Sequence, residues 1–209
     1  MLNKFCTDWN GLFKAHPSLY KKNSVTIIEK GTSAKNKQLT VNCTEVVSFP
    51  SKQFDAYDMF SALTNRNCDG VLLFSNEVGT YDLVFIEMKS RFSTQEVFEA
   101  KCQIVETYTK LQSLFRMMKT FYSLPIRRIF GVIETQKLDA DQVVWWSKQQ
   151  MLPEKDMQFG ERLLKHPFIE APTRCQNVLN MPDKMTFRIL LSDDANYTVD
   201  YTDLCSSQN

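Results

Sequence analysis

Two short apolar runs, Val71 to Phe74 and Leu83 to Ile86, flank the polar connection Ser-Asn-Glu-Val-Gly-Thr with its single Gly79. This pattern predicts two adjacent antiparallel strands joined as a hairpin. Side chains alternate across a strand, so Glu87 and Lys89 share one face of the second strand while Ile86, Met88 and Ser90 take the other. Asp69 enters the first strand beside them. A Glu-x-Lys tripeptide alone is common on exposed strands, but this one follows four consecutive apolar residues, the mark of a buried strand. Charges in such a place cost free energy unless they are paired. The same group suits a hard divalent cation, which takes oxygen ligands and keeps several waters. Asp69, Glu87 and the backbone carbonyl of Met88 are the expected ligands. Lys89 could position or help deprotonate an attacking water, or offset charge developing on a phosphate.

The segment after this pair is the strongest helix in the chain. Ser93-Thr94-Gln95-Glu96 fits a capping box, and Val97, Ala100, Ile104, Tyr108, Leu111, Phe115 and Met118 recur at three- and four-residue steps. The helix is expected over 93–122. Gln103 stands at the margin of its apolar stripe, within reach of Lys89 or of a water at the site. Pro125 and the apolar run Ile126 to Ile133 then predict a core strand reached by a crossover connection.

Taken together, Asp69, Glu87-Met88-Lys89 and a helix carrying Ala100-Lys101-Cys102-Gln103 resemble the PD-(D/E)XK nuclease superfamily, which includes restriction endonucleases, Holliday-junction resolvases and RecB-type nucleases. In that family the first acid opens one core strand, the Glu-x-Lys closes the next, and a helix behind them presents a Gln or Lys. The likeness covers about Cys68 to Tyr108. Cys68 stands where the family has Pro, and Gln103 to Tyr108 is one residue longer than the Gln-x-x-x-Tyr element of RecB-type members, so Tyr108 is expected in the core.

The resemblance implies a restriction endonuclease-like α/β fold, with a central mixed β-sheet flanked by helices. It further implies a Mg2+- or Mn2+-dependent nuclease hydrolysing phosphodiester bonds of DNA (or RNA). Asp69, Glu87, Lys89 and Gln103 would be catalytic; Asp69, Glu87 and Met88 would hold the metal. The partner implied is nucleic acid, DNA foremost, with a homodimer or accessory protein as a further partner. The alternative is a catalytically inactive nuclease-fold module serving binding or assembly. A hydrolase with a Ser or Cys nucleophile has little support, since only His16 and His166 are present and neither lies near a nucleophile elbow.

At 209 residues and 43% hydrophobic, the chain can bury a sizeable core. The expectation is a single domain over 1–209, with its core at about 39–135 and a C-terminal helical and hairpin extension at about 138–205. Twenty-five basic and 24 acidic residues leave a net charge of +1, so phosphate contacts would fall to a local basic cleft rather than to global charge. The six cysteines form no Cys-x-x-Cys pair, which argues against structural zinc. No apolar run approaches a membrane span, the N-terminus lacks a signal-peptide core, and a cytoplasmic location is expected.

Elsewhere the patterns predict a helix from Leu2 towards His16-Pro17, strands at Ser24 to Glu29 and Leu39 to Phe49, and a helix from Phe54 to Leu63. Glu45, Asp55 and Asp58 are candidates for an additional upstream acid, with a surface role favoured for each. Arg127-Arg128 could contact phosphate or simply mark a solvated strand end. Asp139 to Gln150 predicts a helix whose Trp145 and Trp146 suit core packing better than base stacking. A short helix at Glu161 to Lys165 and a closing hairpin of Lys184 to Leu191 with Tyr197 to Tyr201 complete the reading.

Overall fold

A computed structural model describes residues 2–12, 21–29, 37–49, 54, 66–76, 79–118, 124–172, 182, 184–193 and 195–205. The described elements are α1 (Leu2–Leu12), β1 (Lys21–Ile28), β2 (Gln38–Phe49), β3 (Gly70–Ser75), β4 (Tyr81–Lys89), α2 (Thr94–Phe115), β5 (Ile126–Gln136), α3 (Ala140–Gln149), α4 (Phe159–Lys165), β6 (Ile169–Pro172), β7 (Lys184–Ser192), β8 (Asn196–Asp200) and α5 (Tyr201–Cys205). The fold is mixed α/β, a central mixed sheet flanked by helices.

Strands β3 and β4 form the expected antiparallel pair, in register from Gly70 opposite Ile86 to Ser75 opposite Tyr81. Gly79 turns the connection at φ 74°, a left-handed conformation that glycine adopts without a Cβ penalty. Both strands carry unbroken apolar runs because both faces of the sheet are covered. Helix α2 then crosses over, and β5 returns parallel to β4 with Glu87 opposite Ile133 and Lys89 opposite Thr135. Ser93 caps α2 by accepting from the Glu96 amide at 3.1 Å. Only half of the expected capping box forms, because the Glu96 carboxylate pairs with Arg91 at 3.2 Å instead of reaching back to the cap.

The sheet runs β1-β2-β3-β4-β5-β7-β6, with β8 on β2. One face packs against helices. There Phe5 and Trp9 of α1 meet Phe49 and Phe115 edge-on, with ring centroids 4.9 to 6.2 Å apart, the arrangement that ring quadrupoles favour. The other face carries a second core in which Val25, Ile27, Leu39 and Val41 join Leu72, Val84, Ile86, Met88 and Val132. These residues can meet because β2 changes partners along its length. Its end, Val46 to Phe49, pairs with β3, while its start, Gln38 to Asn42, pairs in parallel with β8. The start of β2, carrying β1 with it, lies over the sheet: a Cβ at Gly70 would come within 2.6 Å of Ile27 Cδ1.

Several expectations need correction. Strands β7 and β8 do not form a closing hairpin. Both edges of β7 are occupied, by β5 in parallel and by β6 antiparallel, and β8 pairs with β2 instead. Strand β6 and helix α5 are elements that the sequence patterns did not predict. Of the two tryptophans only Trp146 is buried; Trp145 is 42% exposed. The expected helix from Phe54 to Leu63, with Asp55 and Asp58, lies outside the described residues apart from the buried Phe54, as does His16. No described helix is long and apolar enough to cross a membrane.

Candidate active site

Antiparallel pairing brings the start of β3 beside the end of β4, and this register assembles the site. The backbone amide of Asp69 donates to Glu87 Oε2 at 3.2 Å, and the amide of Met88 donates to Asp69 Oδ2 at 2.9 Å. The two carboxylates are thus interlocked through each other's strand. Lys89 places its ammonium 3.0 Å from Glu87 Oε1 and donates to Gln103 Oε1 at 2.7 Å. Asp69, Glu87, Lys89 and Gln103 therefore converge. Met88 contributes backbone only, since its side chain sits in the core on the opposite face.

The electrostatics are tense. Glu87 is 3% exposed, and loss of solvent raises its pKa from the ordinary 4.5 to about 8; the negative charge of Asp69 pushes the same way and Lys89 opposes both. Two acids held this close, one of them buried, repel when both are ionised. A divalent cation relieves that repulsion, and carboxylate oxygens are the donors that Mg2+ and Mn2+ prefer, so the residues present fit such an ion. Among the described residues no group of three or more His, Cys, Asp or Glu is arranged to hold a metal ion, so any ion would rest on the two acids, backbone and water. Glu45 is not an additional acid for this site. It precedes Val46, which pairs with Phe74 at the far end of β3, roughly 17–20 Å of strand away from Asp69.

Helix α2 holds the first acid through a line of side chains that sequence reasoning missed apart from Gln103. Gln103 Nε2 donates to the Asn67 carbonyl at 3.5 Å. One turn on, Thr107 Oγ1 accepts from the Cys68 amide at 2.8 Å and donates to the Gln103 carbonyl at 2.8 Å. Lys110, only 2% exposed, donates to Asn67 Oδ1 at 2.7 Å and to the Arg66 carbonyl at 3.3 Å. The chain from Arg66 to Cys68 is thereby fastened to the helix before it delivers Asp69. The detectable signal was polar residues at i, i+4 and i+7, a stripe that neighbours the apolar one.

Cys68 behaves as a packing residue. It is 2% exposed, its thiol donates to the Gly70 carbonyl at 3.3 Å, and burial, reinforced by the nearby Glu87 charge, pushes its pKa well above the usual thiol range. A neutral thiol of this kind is chemically quiet. On the rim, Gln142 of α3 donates to the Phe92 carbonyl at 3.2 Å, which anchors the loop after Lys89.

Arg128 is more than a solvated strand end, because it has a fixed carboxylate partner in the protein. It reaches the fully buried Asp82, with Nε 3.1 Å from Oδ1, and Tyr201 donates to the same carboxylate. A cavity of about 900 Å3 beside this pair, lined by residues including Glu45, Asn76 and Arg127, lies at the opposite end of β3 and β4 from Glu87. Comparison with protein-family models, with curated proteins and with solved structures finds no significant match to the chain.

Proposed function

We propose that the protein is a metal-dependent nuclease with a restriction endonuclease-like core, cleaving phosphodiester bonds of DNA or RNA at Asp69, Glu87, Lys89 and Gln103. One observation carries the reading: a buried carboxylate, a second acid on the paired strand and a lysine ammonium converge, with Gln103 from the crossover helix completing the group. The antiparallel β3–β4 pair, the α2 crossover and the parallel β5 are the arrangement expected of that core.

Asp69 and Glu87 would hold Mg2+ or Mn2+, with the backbone of Met88 beside them. When bound, the ion would lower the pKa of a water and offset charge on the scissile phosphate. Lys89, with its ammonium 3.0 Å from Glu87 Oε1, would orient that water or neutralise charge developing on the phosphate. Gln103 fixes the ammonium by accepting from it, so a side chain with four rotatable bonds is held in one place. Glu87, at 3% exposure, is itself shielded from solvent, where charge interactions are stronger.

The test is cleavage of single-stranded, duplex and branched nucleic acids with Mn2+, comparing the natural protein with Glu87→Ala and Lys89→Ala. Both variants should remain folded and lose turnover by at least about a hundredfold. Full activity in both would reject the site. If the natural protein cleaves nothing and binds no Mn2+ that Asp69→Ala removes, the reading as an inactive binding or assembly module takes its place.

A further inference from the structure

Beneath the site, on the face opposite the Glu87 and Lys89 side chains, lies a second group of charges. Lys37, 2% exposed, immediately precedes β2. Its ammonium is 2.9 and 3.1 Å from the two carboxylate oxygens of Glu134, itself 1% exposed. Ser192, at the end of β7, donates to the same carboxylate. Glu134 pairs in register with Met88, which places it on the side of the sheet away from Glu87.

Opposite charges buried together seldom stabilise a protein more than apolar residues of the same shape would, because desolvation offsets their attraction. The reason to keep such a pair is better sought in what else it does. The remaining bond of Lys37 answers that: its ammonium donates to the backbone carbonyl of Lys89 at 3.2 Å. The next residue is held from the same quarter, since Ser90 Oγ donates to Glu29 Oε1 at 2.8 Å and the Glu29 amide donates to the Lys37 carbonyl at 3.1 Å. Two bonds from the base of the β1–β2 pair thus grip the chain where it carries Lys89 and leaves β4.

We propose that Lys37 is a positioning residue for Lys89, acting through the backbone, with Glu134 as the counter-ion that keeps the Lys37 ammonium in place. This rests on the reading of Lys89 as part of the active site. A lysine side chain can act at a fixed point only if its own Cα is fixed, and a displacement of about 1 Å can cost on the order of a hundredfold in rate.

The single variant Lys37→Met leaves Glu134 buried without its partner and is expected to destabilise the fold, so the informative protein is K37M/E134L. It replaces the pair with apolar side chains of similar volume and leaves Ser192 Oγ within 3.5 Å of the Thr135 carbonyl. Three measurements are made on full-length protein: thermal unfolding, turnover with Mn2+, and the side-chain 1H–15N signals of the lysine ammonium groups. The expected result is a folded variant in which kcat falls at least about tenfold and KM changes less than about twofold, as loss of a positioning contact requires. The slowly exchanging Lys89 ammonium signal of the natural protein should also broaden or vanish.

A folded variant with an unchanged Lys89 signal overturns the proposal. Should the double variant not fold, the natural protein decides: a slowly exchanging Lys37 ammonium with through-bond coupling to the Lys89 carbonyl carbon supports the proposal, and no such coupling overturns it. Absence of any cleavage by the natural protein would count against the nuclease reading alone, because the ammonium signals report on Lys89 without it.

Discussion

Replacing Glu87 by glutamine should make the metal-free protein more stable and, on the proposed nuclease reading, abolish cleavage. Glu87 is 3% exposed, and desolvation, with the charge of Asp69 behind it and Lys89 opposing, lifts its pKa from 4.5 to about 8. The sign follows from proton counting. Below about pH 4.5 both folded and unfolded chains hold the proton; between about 4.5 and 8 only the folded chain does; above about 8 neither does. Stability therefore falls as pH rises through this window, by up to ~1.4 kcal/mol per pH unit, and then levels off. Across the whole window the loss is at most ~4–5 kcal/mol.

Glutamine carries no charge to desolvate, but it leaves the Lys89 ammonium with Gln103 and no carboxylate, which takes back part of the gain. The net expectation is ~2–3 kcal/mol in favour of Glu87→Gln near pH 8.5, shrinking towards zero near pH 5. Urea unfolding of both proteins in EDTA at about pH 5, 7 and 8.5 measures it. Adding Mn2+ should then stabilise the natural protein and not the variant. A variant no more stable than the natural protein near pH 8.5, together with a natural protein whose stability does not change with pH, would refute the argument that this site stores electrostatic strain.

Three further outcomes follow from the packing. In Gly131→Ala the new Cβ would come 2.6 Å from Phe187 Cε1 and 3.1 Å from Met185 Sδ; both neighbours are buried, so overpacking should cost ~1–3 kcal/mol in thermal unfolding, and a second change, Phe187→Leu, should recover part of it. Tyr201→Phe keeps the stack on Phe74 at 4.5 Å but removes a donor from the fully buried Asp82. Because Arg128 still supplies its bonds, the loss in a denaturant titration should be ~1–2 kcal/mol. Ser93→Ala removes the cap of α2 and should cost ~1 kcal/mol, with turnover following stability.

Much of the site was legible in the residues themselves. Two apolar runs around a glycine turn fixed which strands pair, and strand alternation put Glu87 and Lys89 on one face. The helical step placed Gln103 one position outside the apolar stripe, and in the structure that margin lies against Lys89. These are local rules, in which a period of two or of 3.6 residues decides where a side chain points. Thr107 and Lys110 follow the same helical period, but a polar residue beside an apolar stripe reads as solvated unless its partner is known, and their partners lie about 40 residues earlier at Arg66 to Cys68.

What sequence periodicity determined, then, was the identity of most strands and helices and the convergence of the acid pair, since these depend on neighbours along the chain or across one tight turn. Only the tertiary structure decided that β8 pairs with β2 rather than β7, that Arg128 serves Asp82, and that Lys37 passes beneath Lys89 to reach Glu134. A strand edge or a buried charge accepts whichever partner the whole fold brings to it. Hydrogen bonding and desolvation set only the requirement that some partner be there.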